Sequence, residues 1–262
     1  MNTPGASGFD QTLDRGPDEA LAATSGLLKS FSRHHSRRRL LQGGIAAAAA
    51  TALTSATALS ALAVHAEATA EGGNLTEFFN ILATGETLFV TFYHQAVLHQ
   101  EALGLAGAEL NAIEAIQTEE ELHRRFALEQ GGTAATTHFS FPYGLATFES
   151  RELFLKTQQI AEELTNWALL AWINDMASMG QVRLAQIGGQ LMQVEGGHRV
   201  VGRVLQGAEP WDDWAFGPVM LQHFSQVPAA ATEAGFLSPR PGNDFEFQLV
   251  PAEFPGVIHT SP

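Results

Sequence analysis

The 262-residue chain contains no cysteine. That excludes a disulfide framework, thiolate metal ligation and a cysteine nucleophile, and leaves the compartment to be read from other signals. Cations are scarce past residue 66, where eight Lys/Arg face twenty-four Asp/Glu, a net of −16. So acidic a region repels phosphate backbones and anionic headgroups, which argues against nucleic acid as a partner and makes cations the natural guests. Strand signals are missing too, since no segment alternates convincingly between apolar and polar residues. What the chain does have is apolar content, 45% of its residues, ample for the core of one medium domain with extensions.

The first 66 residues reverse the charge balance, with six Lys/Arg against four Asp/Glu. Three of the arginines lie in "SRRRLL" (Ser36 to Leu41), followed by "QGGIAAAAATALTSATALSALAVHA" with Ala-x-Ala-like ends near Ala63, Ala66 and Ala70. A basic cluster ahead of a mildly apolar run reads as an export signal rather than as structure. It resembles a twin-arginine signal in its paired arginines after a serine, its leucine pair and its Gly/Ala/Thr/Ser-diluted apolar region. That resemblance implies export of an already folded protein by the twin-arginine translocation machinery to the periplasm or beyond. Left uncleaved, the segment would serve as a membrane anchor. Residues 1–70 are read as signal and linker.

Helical periodicity dominates from residue 74 to about 206 and predicts an all-α four-helix bundle. Helix one is expected over 75–102 with Asn74 as N-cap, on the seam Leu75, Phe79, Leu82, Glu86, Phe89, Tyr93, Ala96. Helix two, over 108–130, has the seam Ile113, Ile116, Glu120, His123, Ala127 and stops at Gly131 and Gly132. Helix three is expected over 150–178, apolar on more than one face. Helix four, over 181–206, has the seam Leu184, Gly188, Leu191, Glu195, His198, Gly202, Leu205. Residues 207–262 read as a short helix near "GPVMLQHFSQV" and a Pro- and Gly-rich tail that wraps the bundle, with Trp211, Trp214, Phe224 and Phe236 as packing anchors.

Acidic residues on apolar seams carry the chemistry. Glu120 with His123, and Glu195 with His198, are i and i+3 neighbours on one helix face, so each pair can chelate. Glu86 and a glutamate of helix three, Glu162 or Glu163, complete one glutamate from each of two helices and a Glu-x-x-His from each of the other two. That is the ligand set of carboxylate-bridged two-metal bundles. The order repeats, with Glu86 and Glu120 34 residues apart and Glu162 and Glu195 33 apart, as a site on a pseudo-twofold axis between two helical hairpins requires. Carboxylates gathered in a low-dielectric interior cannot all stay ionised unaided, and two divalent cations would offset four of them. Oxygen-rich ligation with one imidazole per metal favours iron or manganese over copper, and makes zinc less apt. Gly196 and Gly197, between Glu195 and His198, are expected to let a neighbouring helix or loop approach closely.

With these motifs in order, the chain resembles the ferritin-like superfamily, in particular the ferritin-like family that includes plant and bacterial desiccation-related proteins. The resemblance covers residues 75 to about 235. "GETLFVTFYHQAV" is similar to the family's glutamate followed seven residues later by tyrosine, here Glu86 and Tyr93. "EELH" carries its Glu-x-x-His onto Glu120 and His123, and "VEGGHRVV" carries the second onto Glu195 and His198. The Gly131-Gly132 pair and "FSFPYG" look like its connecting loop. "LFLKTQQIAEELTNWALL" resembles its third helix and places the ligand role on Glu162. Leu169 stands where family members often have a second tyrosine, so the site would be asymmetric.

The function these readings imply is an exported two-metal protein with redox chemistry on dioxygen, peroxide or ferrous iron. Tyr93 would act as a redox or hydrogen-bonding group beside the site, and the expected partners are metal ions, small oxidants and a second copy of the chain in a homodimer. The alternative is a non-catalytic stress- or desiccation-protective protein whose metal site is structural or vestigial.

Overall fold

The computed structural model describes residues 74–211 and 215–251. The expected export signal and Trp214 lie outside the described residues. Among these residues no helix is long and apolar enough to cross a membrane.

Four long helices form where the periodicity places them. Helix α1 (Leu75–Leu98) starts at Asn74, whose side chain accepts from the Thr76 N–H at 3.1 Å, satisfying one of the donors a helix start leaves open. All seven residues of its predicted seam are buried, Glu86 among them. The helix breaks at His99, and a single turn, α2 (Gln100–Leu103), follows. Helix α3 (Ala108–Glu129) ends in Gln130 and then Gly131, which takes a left-handed φ of 86°. Gly132 lies so near the Phe79 and Ala127 carbonyls that a Cβ would sit 2.5 and 2.8 Å from their oxygens. The glycine pair therefore lets the chain leave α3 against α1.

A crossover, holding β1 (His138–Phe139) and the single-turn α4 (Ala146–Glu149), joins this first hairpin to the second. Helix α5 (Arg151–Ser178) is capped by the Ser150 side chain. Arg151 forks onto Glu109 with two 2.9 Å bonds, tying the starts of α5 and α3 together. Gly180, at φ 72°, turns the chain into α6 (Val182–Leu205). Helix α1 packs along α3 and α5 along α6, so the two hairpins enclose one interior. Its apolar content falls into two clusters, one around Phe92, Phe141, Phe148 and Phe154, the other around Phe78, Phe79, Trp172 and Met176. The predicted ligands lie at the level between them.

The helical part of the extension after α6 begins at the end of the expected stretch: a 3-10 turn, Phe224–Gln226, followed by α7 (Val227–Glu233), which runs on past it. Asp175 sets that start by accepting from the Phe224 N–H at 2.8 Å, with His223 Nδ1 at 2.9 Å from its other oxygen. Phe224 then seats its ring against Phe78 and Trp172, at 5.7 and 5.0 Å between centroids. Phe236 is likewise buried and packs on Phe141. Trp211 does not act as an anchor, being 79% exposed. A short ladder between β1 and β2 (Phe245–Glu246), antiparallel, clips the tail to the crossover. The Asn243 side chain extends the join by pairing with both the N–H and the carbonyl of Phe141 at 2.9 Å.

Candidate metal centre

Each predicted ligand is placed by its own helix seam. Glu86 replaces an apolar residue one turn beyond Leu82 on α1, Glu120 and His123 do so on α3, Glu162 on α5, and Glu195 and His198 on α6. All are buried except His123, which keeps slight exposure. Together they form two groups whose potential ligand atoms lie within 4.8 Å of one another: Glu86, Glu120, His123 and Glu195, and Glu120, Glu162, Glu195 and His198. Glu120 and Glu195 belong to both groups. Glu86 with His123, and Glu162 with His198, hold the two ends.

The histidines turn their Nδ1 atoms inward. His198 Nδ1 is 3.1 Å from both Glu120 Oε1 and Glu195 Oε2. His123 Nδ1 is 2.9 Å from Glu195 Oε1 and 3.5 Å from Glu120 Oε2, yet in orientations that form no hydrogen bond. Glu163, the alternative to Glu162, is absent from both groups. One residue along the helix, it points to Arg199 instead, 2.8 Å away.

Burial and crowding dominate the electrostatics. Loss of water, followed by the charge of Glu120, pushes the Glu86 carboxyl well above the usual carboxylate range. Burial does the same to Glu162, against the pull of His198. Glu195 goes the other way: burial opposes its charge, but His198 and His123 hold it at about 2. Burial also disfavours charge on the two imidazoles, and the carboxylates outweigh it, with Glu120 and Glu195 raising His123 and Glu195 and Glu119 raising His198. The metal-free cluster thus holds itself together with protons, as crowded buried charges must.

Five buried atoms of this cluster make no hydrogen bond, Glu86 Oε2, Glu120 Oε2, Glu162 Oε2, Glu195 Oε1 and His123 Nδ1, although His123 Nδ1 lies within ion-pair distance of all but the Glu162 oxygen. Buried acceptors without hydrogen bonds are costly and rare in a folded interior. Here they converge from four helices, and carboxylate oxygens with one imidazole nitrogen per group are a donor set that suits divalent metal ions. The residues present fit metal binding.

Tyr93 is buried in α1 and donates its hydroxyl to Glu162 Oε1 across the bundle, while Gln158 Nε2 donates to the same hydroxyl at 3.2 Å. Burial and the charge of Glu162 push its phenol well up, so it stays protonated and orients that carboxylate. Gln158 also donates to the His198 carbonyl at 2.9 Å, and Gly202 makes room for it, since a Cβ there would collide with the Gln158 amide.

Glu119 was not foreseen. Its Oε2 lies 2.7 Å from His198 Nε2, which favours a proton on Nε2 and keeps Nδ1 turned toward Glu120 and Glu195. The signal was the residue before the Glu-x-x-His of α3. The matching residue before that of α6 is Val194, which has no polar group to offer His123. Glu119→Ala is expected to lower metal affinity by about 10–100-fold, the usual effect of losing the partner behind a ligating histidine. Glu119→Gln, which keeps an acceptor, should retain more of it. Metal titration of the three proteins measures both, and equal affinities would deny Glu119 the role.

No curated protein and no solved structure matches the chain. Residues 74–208, which run from the cap of α1 to just past the end of α6 and contain every ligand described, match the ferritin-like domain family. The chain therefore belongs to that family, with its buried carboxylate and histidine cluster at the family domain's centre.

Proposed function

We propose that this protein carries a carboxylate-bridged pair of iron or manganese ions and uses it for redox chemistry on dioxygen, peroxide or ferrous iron. The observation that supports this most is the convergence of five buried side-chain atoms that make no hydrogen bond, in two groups that share Glu120 and Glu195. Glu86 and His123 would hold one ion, Glu162 and His198 the other, and the shared carboxylates both. When bound, such ions supply one-electron redox steps and Lewis acidity toward a small oxidant. The chain supplies the rest: Tyr93 and Gln158 orient Glu162, Glu119 orients His198, and the two aromatic clusters keep water from the carboxylates. Export through the N-terminal "SRRRLL" segment belongs to the same reading, and recovery of the mature protein from the cytosol would remove it.

Elemental analysis of protein from its native compartment is the test, paired with assays for oxygen release from peroxide and for ferrous oxidation. About two ions per chain with turnover is expected. No metal after reconstitution overturns the proposal, and full occupancy without turnover leaves the protective, non-catalytic reading.

Metal uptake should also depend on pH. Ligation needs neutral imidazoles, and both histidines are held above their ordinary value of 6.5. Protons must therefore leave as metal binds, and apparent affinity should climb as pH rises from 6.5 through the raised values. The metal-free fold should do the reverse. Its stabilisation by these imidazolium ions is complete below 6.5 and fades as pH rises through their folded values. Calorimetric titration in buffers of differing protonation heat reads the released protons, and affinity independent of pH would contradict the assignment.

A further inference from the structure

Tyr93 and Leu169 occupy matching places in the two halves, each seven residues after a ligand glutamate, Glu86 and Glu162. Tyr93 closes the far end of the site by binding Glu162, with Gln158 behind it. Leu169 can offer Glu86 nothing of the kind, and Glu86 Oε2 makes no hydrogen bond and has only the His123 Nδ1 at 3.9 Å for an ion pair. Against Glu86 there is instead a cavity of about 50 Å³ with Leu169 in its wall. Gly85 and Ala168 line it from α1 and α5, and Phe224, Val227 and Ala231 of the C-terminal extension line it from outside. The other polar residue in the wall, Thr165, directs its hydroxyl to the Ala161 carbonyl at 3.2 Å. Glu86 Oε2 is itself buried away from this space and lies 3.9 Å from His123 Nδ1, so the surface the cavity presents is apolar.

A water-sized sphere needs about 10–15 Å³, so the cavity has room for a molecule of two or three heavy atoms. Water or peroxide placed there would leave hydrogen bonds unmade against apolar walls, which is costly. Dioxygen makes no such bonds and loses nothing on entry. We propose that this cavity is the docking place of dioxygen, beside Glu86 at one end of the site, with the C-terminal extension as its outer wall. The two ends are therefore unequal: Tyr93 and Gln158 close the Glu162 end, while the Glu86 end receives the small apolar oxidant. This inference rests on the two-metal reading above.

Xenon is a suitable probe, being apolar and independent of metal and of turnover. Crystals of the whole protein under xenon pressure are expected to show xenon in this cavity, with or without metal loading. A Cβ built at Gly85 meets nothing within 4 Å, so Gly85→Leu can fill the space while α1 stays in place. That variant should lose the xenon, keep its metal by elemental analysis, and when ferrous-loaded react with dioxygen about tenfold more slowly, equivalent to about 1.4 kcal/mol. Should Gly85→Leu fail to fold, Leu169→Phe fills the same cavity from α5. Metal bound with no xenon in the wild-type cavity overturns the docking place alone. So does a filled cavity with an unchanged rate of reaction with dioxygen. Xenon bound without any metal uptake overturns the two-metal reading, and the role of the cavity with it.

Discussion

Glu195→Ala is expected to release both metal ions, whereas Glu86→Ala releases one. Glu195 is common to both ligand groups and Glu86 to a single one, so the loss in affinity should spread across the whole site in the first case and stay at one end in the second. The effect should exceed the about 10–100-fold seen when only a partner behind a ligand is removed. The metal-free protein should suffer as well. Glu195 sits within 3.1 Å of one nitrogen of each histidine and is held at about 2 by them, so its loss leaves two buried imidazolium ions short of their main counter-charge. Breaking a buried pair from one side costs about 3–5 kcal/mol. Because the group's pKa is lowered, this stabilisation is complete above the ordinary carboxylate value of 4.5 and fades only as pH falls toward 2, so comparison at neutral pH captures all of it. Metal stoichiometry and denaturant unfolding of the two variants decide the matter. Equal metal loss in both would deny Glu195 the bridging place.

The glycines of α6 should divide in sign. Gly188→Ala is expected to destabilise the fold by about 1–3 kcal/mol, the usual range for overpacking a filled core, because a Cβ there collides with the Trp172 indole. Trp172 cannot swing aside, being fully buried and donating its ring N–H to the Leu184 carbonyl at 2.9 Å. Gly196→Ala and Gly197→Ala should instead stabilise it, by about 1 kcal/mol each on helix propensity alone. The expectation that this pair admits a close neighbour is not met: Gly197 faces open space, and the nearest atom to a Cβ on Gly196 is Asn166 Oδ1 at 3.9 Å, an ordinary contact. Thermal unfolding of the single variants reads the difference, and a destabilised Gly196→Ala/Gly197→Ala protein would restore the close-approach reading. Nothing in the structure explains why the pair is glycine.

Seam spacing made the bundle legible, because a glutamate that interrupts a run such as Leu82, Phe89, Tyr93 can only face inward. The same logic reached Glu120, His123, Glu195 and His198. It weakened on α5, where apolar residues surround the helix and Glu162 and Glu163 read alike. Arg199 on the next helix draws Glu163 to itself, a pairing no local pattern reveals. Glu119 was hidden in a run of three glutamates. Glu120 turns to the ligand cluster, while Glu121 turns to Arg124 and Arg125. The extension was the least legible part, since its start depends on Asp175 and its end on a two-residue ladder to β1, both contacts distant in sequence.

Those contacts also separate two meanings of the word domain. The family likeness stops at residue 208, but Phe224, Phe236 and Val250 are as deeply buried as residues of the helices themselves. A chain ended where the likeness ends would turn the faces of Phe78, Trp172 and Phe141 toward water. The stretch that carries the family likeness and the stretch that shares the buried core are thus of different lengths, and the second reaches some forty residues further along this chain.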